Sequence, residues 1–283
     1  MNYRHAFHAG NFADLAKHVI LTRLLGEITA AGPPVTVIDT HAGAGLYDLR
    51  AESSRRTGEA QIGAQRLMEA AAAPRAFDEL RAAVRRCNAP GELRYYPGSP
   101  VLITAALRPG DRYIACELRP DDYAALKQVL PRESGSLAHR GDGWTHAARV
   151  APRTPARLLV LVDPPFERGD DYEQAVGLIR RILPDNPSSV FAIWTPLKDL
   201  ATFDAFLGDV EDVAAGRPVL AAEVRLRPLA DPMRLNGCVM VLINAPAEIE
   251  APARAAMEWI AATLGEAGAL GRVTKYQMPD PSK

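Results

Sequence analysis

The chain has 283 residues, of which 33 are basic and 34 acidic, so its formal net charge is −1. This balance excludes a polybasic coat for nucleic acid, although it permits local basic patches. Three scattered cysteines without a C-x-x-C pair indicate a reducing compartment and exclude a cysteine-rich zinc site. No apolar run reaches membrane-spanning length and the polar N-terminus lacks a signal-peptide core, so we expect a soluble cytoplasmic protein with no membrane contact.

Predicted strands and helices alternate along the chain. Residues 12–28 have apolar side chains at helical spacing, with Asn11 as the expected N-cap. The β-branched run 33–39 is followed by a glycine turn, which is typical of a nucleotide-binding α/β unit. Further strands are predicted at 111–117, 157–163, 188–194, 221–227 and 237–244, and helices at 120–130, 171–183 and 199–210. The alternation predicts a mostly parallel sheet, and the close succession of the last two strands predicts an antiparallel hairpin at one edge.

One connection is too long for a single crossover. From the first glycine-rich turn to the acidic end of the next main strand the chain runs far beyond the roughly 30 residues of a βαβ unit. We therefore predict a helical insertion at 50–94, with Pro74 between two helices, on a main domain formed by 1–49 and 95–283. The insertion has an excess of basic residues. This excess could be a solvated helical face or a patch that contacts phosphates.

The glycine turn indicates which cofactor the protein uses. Gly43 and Gly45 form a G-x-G after the strand that ends at Asp39, although a tight turn into a helix needs glycine in any case. Position 48 is Asp where a dinucleotide motif has Gly, and a carboxylate there would repel a pyrophosphate. This disfavours an NAD-dependent oxidoreductase. S-adenosylmethionine carries an ammonium and an adenosine but no phosphate, so it meets no such conflict.

Two further acids follow predicted strands. Glu117 could accept hydrogen bonds from both ribose hydroxyls, or could simply be the charge before the helix that starts at Pro120. Asp142 follows the next strand and could accept a hydrogen bond from the adenine amino group. Since the carboxyl ends of parallel strands share one edge of the sheet, we expect these acids and the glycine turn to form one cofactor site.

The sequence Asp-Pro-Pro-Phe at 163–166 ends a fourth strand on that edge. The amino group of adenine or of an amide is a poor nucleophile because its lone pair is delocalised. We predict that the Asp163 carboxylate and the proline-fixed Pro164 carbonyl each accept one N–H and so turn the lone pair toward the methyl donor. Phe166 is predicted to stack on a flipped base. Taken alone, this element could also be a rigid turn.

Four of the six histidines lie in the first 41 residues. His5 and His8 form an H-x-x-H pair, but no cysteine lies near and the carboxylates are not at ligand spacing, so we expect no metal. A second interpretation is that the N-terminal segment folds over the cofactor. His18 and His41 would then bind the methionine carboxylate, and Tyr3 would approach the target base.

The motifs "YRHAFHAGNFADLAKH", "DTHAGAGLYDL", "LRYYPGSP", "CELRPDDY", "GDGW" and "DPPFE" resemble, in this order and spacing, those of the bacterial 23S rRNA adenine-N6 methyltransferase J family. The resemblance implies a Rossmann-like class I methyltransferase with a mostly parallel seven-stranded sheet, an antiparallel edge hairpin and a small helical insertion. It also implies a monomer that uses S-adenosylmethionine to methylate N6 of one adenine in 23S rRNA.

The resemblance also assigns roles to individual residues. The residues that match cofactor-contacting positions are His18, His41, Ser99, Glu117, Asp142, Gly143 and Asp163. Asp163 also matches the catalytic acid, with Pro164 and Phe166 beside it, and Tyr3 matches a substrate-side residue. From the sequence alone, Ser99 is only an expected helix N-cap. Phe166 stands where the family pattern has Tyr, which preserves stacking but removes a phenolic hydrogen bond.

The Asp-Pro-Pro-Phe element is shared by many amino-methyltransferases, so two other substrates stay open: DNA adenine and a protein glutamine. A dedicated DNA enzyme would carry a distinct target-recognition domain, and none is evident. An inactive RNA-binding relative is a further alternative. The intact Asp163, Glu117 and Asp142 argue against it.

Overall fold

The computed structural model describes residues 7–52, 58–131, 135–154, 157–214, 216–230 and 234–277. The strands are β1 (Val35–Asp39), β2 (Leu46–Asp48), β3 (Tyr95–Pro97), β4 (Arg112–Glu117), β5 (Ser136–Arg140), β6 (Arg157–Val162), β7 (Val190–Pro196), β8 (Pro218–Arg225), β9 (Gly237–Ile243) and β10 (Leu270–Gln277). The α-helices are α1 (Phe12–Ala30), α2 (Arg66–Glu69), α3 (Asp78–Arg86), α4 (Ser99–Ala106), α5 (Pro120–Val129), α6 (Gly143–Val150), α7 (Asp171–Ile182), α8 (Leu200–Ala214) and α9 (Glu250–Leu264). A π-helix, Gln61–Gln65, runs directly into α2.

The main sheet follows the order β10-β8-β9-β7-β6-β1-β4-β5. The strands from β7 to β5 are parallel, with Ile38 of β1 opposite Ile114 of β4 and Val160 of β6. The strands β9, β8 and β10 complete the sheet in antiparallel pairs. The mostly parallel sheet and its antiparallel hairpin are therefore confirmed.

The sheet has eight strands, so the predicted number of seven is wrong. The additional strand, β10, pairs with β8 and forms the outer edge, so the hairpin of β8 and β9 lies one position further in. The segment lacks a β-branched apolar run, since Val273 is its one buried hydrophobic residue among those whose side chains the structure describes. A half-covered edge strand of this kind gives little hydrophobic signal.

Helices cover both faces of the sheet, and alternate side chains of β1 supply both cores. Val35 and Val37 pack into a core with α1, α4 and α9, whereas Ile38 packs into a second core with α6, α7 and α8. The strand is buried throughout, as expected for the centre of a parallel sheet. Helix α1 begins as predicted, because the Asn11 side chain accepts a hydrogen bond from the Asp14 N–H.

The connection after the glycine turn differs from the expected one. The turn leads into β2, which pairs with β3, and the helix α4 begins only after β3. Asp48 therefore lies in a two-stranded sheet, where it forms an ion pair with Arg94 (3.0 Å). The expected position of Asp48 beside a helix N-terminus is wrong. Its carboxylate therefore does not indicate which cofactor the protein uses.

In the described part of the segment between β2 and β3, helical stretches lie on both sides of Pro74, as predicted. Its buried side chains belong to the same core as α1, and the Phe77 ring contacts Trp259 of α9 at 5.1 Å. The boundaries 50–94 stay a prediction. Within the described ranges, no helix is long and apolar enough to cross a membrane.

Candidate active site

A cavity of about 740 Å³ lies at the carboxyl ends of the parallel strands, a size typical of a site for a small organic molecule. The sequence-predicted residues that line it are His18, His41, Ser99, Glu117, Asp142, Gly143, Asp163 and Pro164. The structure therefore brings together residues that are far apart in the chain. Tyr3 and His5 lie outside the described residues.

The glycine turn fixes the position of Glu117. Gly43 has a φ of +66°, and a side chain there would collide with the Tyr47 hydroxyl. Its N–H donates to Glu117 Oε2 (2.9 Å), and the Arg119 N–H donates to Oε1 (2.7 Å). Burial raises the pKa of Glu117. Two backbone donors thus hold this carboxylate at the wall of the cavity.

Asp142 and Gly143 begin helix α6. Asp142 is the N-cap and accepts a hydrogen bond from the Thr145 N–H (2.7 Å). A Cβ on Gly143 would collide with the carbonyl of Thr40, which directly follows β1. Only glycine therefore allows α6 to approach β1 this closely, and that approach brings Asp142 to the cavity.

Both predicted histidines line the cavity. His18 is buried on α1, and its Nδ1 is 3.0 Å from the Tyr96 hydroxyl. His41 Nδ1 is 2.8 Å from Thr40 Oγ, and its ring meets Trp144 edge-on at 4.9 Å. Burial lowers the pKa of His41 to about 4, so this imidazole is neutral near pH 7.

Asp39, at the end of β1, is fully buried. Its Oδ2 accepts hydrogen bonds from Ser99 Oγ (2.7 Å) and from the Tyr113 hydroxyl (3.1 Å). Burial is the main cause that raises its pKa to about 6, and the charge of Asp163 adds to this. The expected N-cap role of Ser99 is wrong, because Gly98 is the N-cap and the Ser99 hydroxyl bonds Asp39 instead.

Asp163, directly after β6, belongs to an ionic cluster in which Lys17 contacts two carboxylates. Lys17 Nζ donates to Asp163 Oδ2 (2.6 Å) and also contacts Asp14 Oδ1 (3.0 Å). Both Lys17 and Asp14 are buried. Sequence reasoning missed these two residues. The available signal was a pair of opposite charges three positions apart within the mostly apolar first half of α1.

Phe166 lies in the same loop, but its position does not match the predicted stacking role. The ring is only 5% exposed and packs against Tyr172 (4.6 Å) and Trp194 (5.9 Å) rather than lining the cavity. Its φ is +49°, a left-handed conformation that is uncommon for an aromatic residue and is concentrated at functional sites. Trp194, which the sequence analysis did not select, lines the cavity.

In the described part of the chain, no group of three or more His, Cys, Asp or Glu side chains could hold a metal ion. His8 instead lies 3.0 Å from the carboxylate of Glu59. The glycine-lined cradle and the carboxylates that face it suit an adenosine with a charged amino-acid tail. A mostly parallel sheet with such a cradle and an Asp-Pro-Pro element at its carboxyl edge defines a Rossmann-like amino-methyltransferase.

Comparison with known proteins places the chain within that class. The profile of the family described as "Ribosomal RNA large subunit methyltransferase D, RlmJ" matches residues 32–276. The chain is 30% identical to the Escherichia coli K12 "Ribosomal RNA large subunit methyltransferase J" over 280 residues, which cover 99% of this chain and 100% of the relative. The Haemophilus influenzae protein of the same name is also 30% identical, over 281 residues, with the same coverage.

A crystal structure of a Legionella pneumophila protein superimposes with a TM-score of 0.85 at 27% identity, covering 96% of this chain and 98% of that one. The chain belongs to the RlmJ family of ribosomal RNA large subunit methyltransferases.

Proposed function

We propose that this protein methylates N6 of an adenine in 23S rRNA, with S-adenosylmethionine as the methyl donor. The observation that carries the proposal is the ionic cluster of Asp163, Lys17 and Asp14 at the wall of a glycine-lined cavity. The names of the relatives from E. coli and H. influenzae point to large-subunit rRNA as the class of substrate.

The residues present fit the proposed cofactor. Glu117 would accept hydrogen bonds from the ribose hydroxyls, Asp142 from the adenine amino group, and the two histidines would bind the carboxylate. Ser99 lines the cavity and at the same time holds Asp39. When bound, S-adenosylmethionine supplies an electrophilic methyl carbon attached to a positively charged sulfur.

The chain's own groups would prepare the target amino group. The Asp163 carboxylate and the Pro164 carbonyl would each accept one N–H, which turns the nitrogen lone pair toward the methyl carbon. A carboxylate can accept several hydrogen bonds, so the Lys17 contact is compatible with this role. The negative charge of the Asp163 carboxylate beside the amino group would stabilise the positive charge that develops on nitrogen.

Asp163 would then receive the proton that leaves the methylated nitrogen. We assign Tyr3 to the substrate side of the site, as the family resemblance implies. We assign base stacking to Trp194, or to Phe166 after a change of its side-chain rotamer. All these groups belong to one chain, so we propose a monomer, and an rRNA substrate places the protein in the cytoplasm.

The function is tested by mapping transferred methyl groups. Purified protein and tritium-labelled S-adenosylmethionine are incubated with 23S rRNA from cells that lack this gene. We expect label in N6-methyladenosine at one position, and none in rRNA from cells that keep the gene, because that site is already modified. Label in another nucleoside, or in both rRNA preparations equally, would contradict the proposal.

Asp163→Ala tests the assignment of the catalytic acid. Loss of the acceptor should lower kcat by about 10²–10⁴-fold. Binding of S-adenosylhomocysteine, measured by calorimetry, should remain. Asp185→Ala is the matched control, since Asp185 is an exposed acid that forms an ion pair with Arg181, remote from the cavity lining. Near wild-type turnover by Asp163→Ala would show that another group activates the amino group.

A further inference from the structure

One carboxylate of the insertion contacts the segment that precedes α1. Glu59 Oε2 accepts a hydrogen bond from Asn11 Nδ2 (2.9 Å), and His8 Nδ1 lies 3.0 and 3.1 Å from the two Glu59 oxygens. The hydrogen bond with Glu59 is the main cause that raises the pKa of His8. Glu59 therefore joins two parts of the chain that are about 50 residues apart.

The backbones of the same two segments touch directly. The Ala64 N–H donates to the Gly10 carbonyl (2.8 Å). A Cβ on Gly63 would collide with that carbonyl, so the approach requires glycine at this position. Both Gly63 and Ala64 lie in the π-helix, a rare element that is often found at functional sites.

From this junction, hydrogen bonds lead without interruption to the catalytic loop. The Asn11 side chain accepts from the Asp14 N–H (2.9 Å), and Asp14 Oδ2 accepts from the Gly10 N–H (2.9 Å). Asp14 also contacts Lys17, which donates to Asp163. The position of Asp163 is therefore linked through α1 to the anchoring of residues 8–11.

We propose that Glu59 is a positioning residue for methyl transfer. By holding His8 and Asn11, it fixes the first turn of α1, and this turn places Lys17 and Asp163 for their work on the amino group. The insertion then contributes to turnover and not only to contact with RNA. The proposal rests on the proposed function, because it assigns Glu59 a role in that reaction.

The test measures kcat and KM separately for both substrates. Glu59→Ala should lower kcat about tenfold, the effect of losing hydrogen bonds to a charged group. Its KM for rRNA and for S-adenosylmethionine should stay within about twofold, because a positioning role assigns the Glu59 carboxylate to His8 and Asn11 and to neither substrate. Glu59→Gln should lose less, since its amide oxygen can still accept the Asn11 bond. The control is Glu69→Ala, an exposed acid of the same insertion that accepts a hydrogen bond from Gln65.

A second variant separates the contact with Glu59 from the stability of α1. Asn11→Ser keeps a good helix N-cap but removes the donor that reaches Glu59. It should lower kcat about threefold alone. In the Glu59→Ala background it should cause no further loss, because both changes break one contact.

The outcomes are distinct. If wild-type protein does not methylate rRNA, the proposed function fails. If wild-type protein is active and Glu59→Ala folds with unchanged kcat, the positioning role fails. A raised KM for rRNA at unchanged kcat also overturns it, because Glu59 would then act in RNA binding. If Glu59→Ala does not fold, Glu59→Gln and Asn11→Ser decide the question by the same measurements.

Discussion

The cavity has two walls that are built in different ways. The sheet wall consists of residues at strand ends, among them Glu117, Asp142 and Asp163. The helical wall consists of α1 and the start of the insertion, which supply Lys17 and Glu59. The Lys17–Asp163 ion pair joins the two walls.

The charged groups of the two walls are also held differently. On the sheet wall, backbone N–H groups hold Glu117 and Asp142 in place. On the helical wall, side chains hold one another, as Lys17 does with Asp14 and Glu59 does with His8. A backbone donor remains after any substitution except one by proline, whereas a side-chain partner can be removed. We therefore expect a substitution on the helical wall to disturb more of the neighbouring side chains of the site than one on the sheet wall.

Removal of Lys17 should have the largest effect on stability. Lys17→Met takes away the ammonium shared by two carboxylates, and loss of one partner from a buried ion pair destabilises by about 3 kcal/mol or more. The thermal midpoint should fall by about 6–12 °C. Methyl transfer should also fall at least about tenfold, because Asp163 loses the partner that orients it.

Two further variants sharpen this result. Asp14→Asn, added to Lys17→Met, removes one of the two carboxylates and should restore part of the stability without restoring activity. Lys127→Met is the control, since Lys127 is exposed and lies over the Tyr123 ring. If Lys17→Met and Lys127→Met unfold at the same temperature, the cluster does not stabilise the protein.

Asp39 offers the corresponding test on the sheet wall. Its pKa in the folded protein is about 6, above the ordinary value of 3.8, so protonation favours the folded state. The stability that Asp39 contributes is present below about pH 4 and is lost as the pH rises through 6. Relative to Asp39→Asn, the wild type should lose about 2 kcal/mol of stability between pH 4 and pH 7.

This difference is measured by urea unfolding of both proteins across that pH range. The substitution also changes the hydrogen bonds from Ser99 and Tyr113, but that change is a constant offset and does not vary with pH. Parallel stability curves for the two proteins would mean that Asp39 is already ionised at pH 4 and that its burial does not penalise the charge.

The sequence predicts the sheet wall well because topology determines it. A strand that ends at Glu117 or at Asp163 must place that residue on the carboxyl edge once the sheet is parallel. The same reasoning placed the glycine turn at this edge, where Gly43 lines the cavity. It failed for β10, whose single buried hydrophobic side chain gives almost no pattern, and for the segment after Gly45, where a strand replaces the expected helix.

Most of the helical wall could not be predicted in this way, because tertiary packing determines which of its side chains meet. No sequence feature near Lys17 indicates that its ammonium contacts the carboxylate of Asp163, 146 positions later in the chain. In the sequence, Glu59 does not differ from the other acids of a helix-forming stretch. Its contacts depend on the packing of residues 8–11 against it in the folded chain. The orientation of the Phe166 ring could not be predicted for the same reason, because contacts with the rings of Tyr172 and Trp194 determine it.

The exposed face of the insertion gives the smallest expected effect. Arg85 and Arg86 are exposed in the last turn of α3, and we predict that they contact rRNA phosphates. Their double substitution by Ala should raise the KM for rRNA a few-fold and leave kcat unchanged. The slope of log K against log salt should become shallower by about 0.7–0.9 for each phosphate that the variant no longer neutralises.

The matched control is the pair Arg180 and Arg181, which is likewise exposed in the last turn of its helix. That helix, α7, packs into the core on the opposite face of the sheet from the insertion. Its double substitution should leave the salt slope unchanged. If both pairs alter the slope equally, the binding of rRNA depends on overall charge, and the basic residues of the insertion are an ordinary solvated face.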